Sequence, residues 1–239
     1  MTSPAALIAA LVAALANVLG AVIVARREWS RGALDAMIAF SGGFLIAVAI
    51  VEMLPESLAQ HGAAAAWVIL GGYLAVHLTQ HTLVPHFHFG EETHHVSHAV
   101  AVSALIGLLL HMFVDGVAIA SGFAAGSTVG TLVLAAIVLH KIPEGSTISS
   151  LCLAAGFGRR GALGAAALLS VATILGALVT DLVAPLREYG LALAAGVTVY
   201  VAASNLVPEF QHKHNWRLPL AFFGGCVVFG ATRVLVGGG

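Results

Sequence analysis

Two short strings carry most of the chemistry in this sequence: HMFVDG at 111–116 and HKIPEG at 140–145. Each sets an imidazole four residues ahead of a carboxylate, His111 with Asp115 and His140 with Glu144, and each follows its acid with a glycine. On a helix of 3.6 residues per turn, residues four apart share a face, so each string presents a two-ligand half-site. Two imidazoles and two carboxylates suit borderline divalent ions such as Zn²⁺, Fe²⁺, Mn²⁺ or Co²⁺, whereas Cu(I) asks for thiolate or thioether. Cys152, three turns from His140, does not reach such a site. The same four residues would also serve as a buried hydrogen-bonded cluster holding helices together, or as the metal centre of an intramembrane hydrolase. The hydrolase is the weaker alternative, because no third histidine lies in the interior of any span and HExxH and GxSxG are absent.

The elements around these strings are apolar. Of 239 residues, 59% are hydrophobic and 9% charged, where a soluble domain has about 25% charged. Runs long enough to cross a bilayer fall at 4–25, 34–54, 64–84, 99–122, 129–153, 162–183, 190–208 and 218–236, which predicts an all-α integral membrane protein of eight spans forming one transporter-sized domain, 1–239. Ten basic against eleven acidic residues give no electrostatic case for nucleic acid. Arg26, Arg27, Arg31, Arg159, Arg160, Lys213 and Arg217 all follow odd-numbered spans, so the positive-inside rule puts both termini outside the cytoplasm. His111 and His140 then lie within a residue of the centres of spans 4 and 5, at mid-membrane depth. Insertion of a carboxylate there costs about 2.5–3.5 kcal/mol, so the two acids ask for a compensating cation. Lys141 shares that depth; no other lysine or arginine does.

The strings also repeat across the chain. Residues 41–57 align with 194–210 at an offset of 153, matching Gly43 to Gly196 and Pro55-Glu56 to Pro208-Glu209, and spans 2 and 7 run in opposite directions. The half-sites of spans 4 and 5 repeat at an offset of 29, again in opposite orientation. Inverted repeats whose polar groups meet near the midplane are a recurring plan of secondary transporters. Pro143 removes an amide donor within the second half-site, which frees the carbonyl of Leu139 and predicts a kink. Gly116 and Gly145 are expected to let spans 4 and 5 approach closely.

Taken together, HMFVDGVAI, HKIPEG, the eight spans and the histidine-rich stretch between spans 3 and 4 resemble the ZIP family of zinc and iron transporters, in its short bacterial form. That resemblance implies a 3+2+3 helix arrangement, a primary metal site of His111, Asp115, His140 and Glu144, uptake toward the cytoplasm by one bundle sliding against another, frequent homodimers, residence in the cell (inner) membrane, and no cofactor besides the transported ion. Some members bind a second, adjacent metal. The corresponding positions here are Met112, Lys141 and Thr173, so the second site looks dismantled, with the Lys141 ammonium standing as a fixed counter-charge.

Weaker polar features line the two ends of the spans. The segment PHFHFGEETHHVSH at 85–98 carries His86, His88, His94, His95 and His98, and on the assigned topology it faces the cytoplasm, where it either binds metal loosely or is simply a solvated loop. His77 and His81 at the inner end of span 3, with Asn205 and Glu209 at the inner end of span 7, are candidates for an exit. Glu52 and Glu56 at the outer end of span 2 are candidates for an entrance. Each is equally readable as an interfacial cap.

Overall fold

The computed structural model describes residues 3–26, 31–82, 98–208, 213 and 215–237. The helices are α1 (Pro4–Arg26), α2 (Arg31–Val48), α3 (Leu54–Thr82), α4 (His98–Ala125), α5 (Ser127–Ala154), α6 (Gly158–Thr180), α7 (Ala184–Tyr200) and α8 (Arg217–Gly237). No strand occurs among the described residues. Local chemistry sets several of the boundaries. The Ser3 hydroxyl accepts from the Ala6 amide and Pro4 takes the first turn, where its missing N–H is no loss. The other end of α5 closes in a Schellman motif: Gly156 adopts φ 84°, its amide bonds the Leu153 carbonyl, and the Phe157 amide bonds that of Cys152.

Two stretches depart from α geometry. Ala49–Met53, joining α2 to α3, and Val201–Leu206, continuing α7, are π-helical. Shifted by the repeat offset of 153, the first falls within the second, so both halves of the inverted repeat carry the same local widening. Such π segments are concentrated at functional positions. Because the first one does not interrupt the helix, Asp35–Thr79 forms a single 45-residue apolar run, broken only at Gly62, whose φ of 55° and ψ of −135° suit glycine alone. Among the described residues, seven helical runs are long and apolar enough to cross a membrane, where the hydropathy pattern predicts eight; one of them, Asp35–Thr79, takes in most of the sequence spans 34–54 and 64–84.

Packing reverses the soluble pattern. On α1 the buried face is Ala6, Ala9, Ala10, Ala13 and Ala14, while Leu7, Ile8, Leu11, Leu15 and Leu19 point outward. Lipid tails are as apolar as leucine, so burying large side chains gains little; small residues instead bring backbones together. The helices accordingly form two groups. One holds α1, α4, α5 and α6; the other is made of two pairs, α2 with α8 and α3 with α7, which meet each other chiefly through the π segments. Within each group the pairs are clasped by reciprocal glycines. Gly20 lies on the Ile142 carbonyl and Gly145 on that of Asn17; Gly116 lies on Thr173 and Gly176 on Phe113. In the second group Gly43 meets Phe222 and Gly225 meets Phe40, and Gly72 meets Leu193 while Gly196 meets Ile69. A Cβ at any of these positions would overlap a backbone carbonyl oxygen. Between the groups the contact is made instead by an apolar core that includes Phe44, Leu45 and Met53 from one side and Ile119, Leu132 and Ile137 from the other.

These clasps correct one sequence expectation. The glycines after the two acids do allow a close approach, but of α4 to α6 and of α5 to α1, not of α4 to α5.

Candidate metal site

The first group of helices brings the two half-sites face to face. His111 and Asp115 project from α4, His140 and Glu144 from α5, and one ligand atom from each lies within 4.8 Å of all the others. The His111 Nε2 atom stands 2.9 Å from Glu144 Oε1 and 3.5 Å from Asp115 Oδ2. The His140 Nε2 atom stands 3.4 Å from Asp115 Oδ2 and 3.8 Å from Glu144 Oε2. Ligand atoms about 2.0–2.2 Å from a tetrahedral Zn²⁺ are separated by about 3.3–3.6 Å, a spacing these distances bracket. The 2.9 Å approach of His111 to Glu144 is not aligned as a hydrogen bond.

The two imidazoles are held differently. The Nδ1 atom of His140 is 2.8 Å from the Ala136 carbonyl one turn back. That bond turns Nε2 toward the carboxylates, where it lies 3.4 Å from Asp115 Oδ2, the usual orientation of a metal-ligating histidine. His111 has no such anchor, and its Nδ1 is buried without a hydrogen-bond partner.

Lys141 is fully buried beside these ligands. Its ammonium contacts Asp115 Oδ2 and Met112 Sδ and lies 3.4 Å from Glu144 Oε2. The Thr173 hydroxyl approaches the same sulfur at 3.9 Å. Met112, Lys141 and Thr173 therefore meet in space, with the ammonium bonded to the acids.

The residues expected at the ends of the spans stay outside this cluster. Glu52, within the first π segment, accepts a bond from Arg233 Nε at 2.8 Å, so its charge is already met across 181 positions of sequence. Glu56 accepts from Gln60 Nε2 at 2.8 Å. His77 sits edge-on to Tyr200, with ring centroids 5.8 Å apart, and Asn205 lies in the second π segment. His98 opens α4 and tilts against Phe157, with centroids 4.7 Å apart. His86, His88, His94, His95 and Glu209 lie outside the described residues, as does the His81 side chain. Among the described residues, His111, Asp115, His140 and Glu144 form the one group of three or more such ligands.

Sequence reasoning passed over Asn17. Fully buried on α1, it donates its amide to the Ala166 carbonyl at 2.9 Å and to Ser170 Oγ at 3.1 Å. A lone asparagine in the middle of an otherwise apolar run was the available signal, since a polar amide at that depth must be satisfied by a neighbouring helix.

Comparison with known proteins agrees with this geometry. Residues 85–236 match the family described as ZIP Zinc transporter. The zinc transporter YKE4 of Saccharomyces cerevisiae is 23% identical over 236 residues, an alignment taking in 79% of this chain and 67% of that protein. Zinc transporter zipt-7.2 of Caenorhabditis elegans is 25% identical and zipt-7.1 of Caenorhabditis briggsae 27%, each over 49% of this chain. Those two alignments span only 28% and 32% of the nematode proteins, well under half their length. With the apolar helices and the family match in agreement, the chain is a multi-pass membrane protein and belongs to the ZIP zinc transporter family.

Proposed function

We propose that this chain carries divalent transition-metal ions across a membrane by alternating access, and that His111, Asp115, His140 and Glu144 form a single transport site. The observation that carries the reading is the convergence of four ligand atoms, two from each helix, inside a buried cluster within the apolar helices. Zn²⁺ is the preferred cargo, supported by the donor set and by the names of the relatives, with Fe²⁺, Mn²⁺ and Co²⁺ compatible with the same ligands. In this reading Lys141 occupies the place of a second cation. Asp115, Glu144 and Lys141 sum to −1 when empty and +1 when one divalent ion is bound, counting the imidazoles as neutral ligands.

The topology follows from the same physics. A 45-residue helical run rises about 68 Å, more than twice the roughly 30 Å of a hydrocarbon core, so Asp35–Thr79 crosses twice with its break at Gly62. Eight crossings in one domain result; the positive-inside rule puts both termini outside the cytoplasm, and the family resemblance implies their 3+2+3 order. Direction toward the cytoplasm, homodimer formation and placement in the inner membrane complete the proposal on family grounds. Glu52, Glu56, His77, His81, Asn205 and Glu209 flank the route at its two ends, and the histidines of 85–98 receive ions on the cytoplasmic side.

Uptake of radiolabelled Zn²⁺ into proteoliposomes, with His140→Ala as the control, tests the proposal. Saturable flux in the wild type that the variant loses is the expected result. Absence of flux together with metal-dependent cleavage of lipid or peptide would assign the site to hydrolysis instead.

A further inference from the structure

The two carboxylates of the cluster share a feature that the ligand geometry does not use. Each is followed by a glycine that sits directly on a backbone carbonyl of a helix outside the site. Behind Asp115, Gly116 meets the Thr173 carbonyl of α6, and Gly176 of α6 returns the contact on Phe113. Behind Glu144, Gly145 meets the Asn17 carbonyl of α1, and Gly20 of α1 returns it on Ile142. The Ser146 hydroxyl, 3.2 Å from the Gly20 carbonyl, adds a bond between α1 and α5 at the same level. Asn17 in turn is tied to α6 through Ala166 and Ser170. One acid is thus backed by α6, the other by α1, and the two backing helices are joined by an asparagine.

We propose that Gly116 and Gly145 are positioning residues for metal coordination, fixing the Asp115 and Glu144 carboxylates by seating their helices on α6 and α1. This rests on the reading of the four side chains as the transport site. The physical argument is one of tolerances. A methyl group at either glycine overlaps a carbonyl oxygen, and no rotamer change moves backbone out of the way, so the helices must separate by about an ångström. A coordination shell accepts departures of only about 0.2 Å. The displacement is passed to the adjacent residue, which is the ligand itself. The second group of helices supplies the control: Gly43 and Gly225 form the same reciprocal clasp between α2 and α8, with neither glycine next to a ligand.

The test compares Gly116→Ala and Gly145→Ala with Gly43→Ala and Gly225→Ala in the full chain, reconstituted in nanodiscs. Thermal stability is measured alongside Zn²⁺ affinity by competition with a chromophoric chelator. All four variants are expected to lose stability. Only the first two are expected to weaken Zn²⁺ binding, by tenfold or more, while the controls stay within threefold of the wild type. Should the alanine variants not fold, Ser146→Ala removes the 3.2 Å hydroxyl bond to the Gly20 carbonyl of α1 together with a 2.8 Å bond to the Ile142 carbonyl of its own helix, and is expected to weaken binding about threefold; Ser41→Ala on α2, whose hydroxyl bonds only carbonyls of its own helix, is the unaffected control. Equal affinity in all variants, with wild-type binding intact and lost in His140→Ala, overturns the positioning role alone. A wild type that shows no saturable binding sensitive to His140→Ala overturns the site assignment and the positioning role together.

Discussion

Replacing Lys141 with methionine keeps a linear side chain beside Met112 and removes the one positive charge facing both carboxylates. Its ammonium contacts the same Asp115 Oδ2 that both imidazoles approach, so a metal bound there would share that oxygen. A hydrogen bond of about 2.8 Å on one side and a metal–oxygen bond of about 2.1 Å on the other put ammonium and ion about 4 Å apart. Between charges of +1 and +2, that separation costs about 8 kcal/mol at an effective dielectric of 20 and still about 2 kcal/mol at that of water. The lower figure alone is about thirtyfold in affinity. Lys141→Met should therefore bind Zn²⁺ at least about thirtyfold more tightly. The empty protein should lose about 3–5 kcal/mol, the cost of leaving buried charges without their partner. Both effects raise the stabilisation conferred by added metal, and tighter binding slows release, so turnover should fall as affinity rises. Chelator competition, thermal unfolding with and without Zn²⁺, and proteoliposome flux measure the three quantities. An affinity within threefold of the wild type would refute the counter-charge argument.

Other outcomes follow from the same geometry. Combining Met112→Asn with Lys141→Glu places oxygen donors where the ammonium now sits and should raise the bound metal from one ion to two, read by elemental analysis of the purified protein. Zn²⁺ at about 100 times its Kd should stabilise the wild type by about 2.7 kcal/mol and leave His140→Ala unmoved, which a thermal-shift series resolves. Arg233→Ala frees Glu52; because the Arg233 side chain is half exposed, the stability change should be within about 1 kcal/mol. The freed carboxylate should modestly lower the KM for uptake, an effect that high salt removes.

Much of this site is legible in the sequence because its signal is local. A histidine and an acid four apart at the centre of an apolar run specify a face and a depth, and α4 and α5 place His111, Asp115, His140 and Glu144 together as that spacing requires. What the sequence does not show depends on which helix lies next to which. Gly116 reads identically whether it faces α5 or α6, and the ion pair of Glu52 with Arg233 joins positions with no pattern to link them. The π segments carry no residue signature, since one extra residue per turn leaves composition unchanged. Spans 34–54 and 64–84 were separable by hydropathy, yet helical geometry carries through Pro55 and breaks at Gly62 instead.

The charge carried by the proposed site also sets how a membrane voltage acts on it. Moving one elementary charge through 100 mV is worth about 2.3 kcal/mol. With Lys141 present, a cell interior held negative draws the loaded site inward as +1 and returns the empty site outward as −1, so each half of an import cycle receives the same push. Without it the loaded site would be neutral and the empty one −2. The whole electrical drive would then fall on the return, and the inward step would run on concentration alone. The sum over a cycle is two charges in either case. A single buried ammonium decides how evenly that work is divided, and hence whether metal loading alone makes the inward step voltage-sensitive.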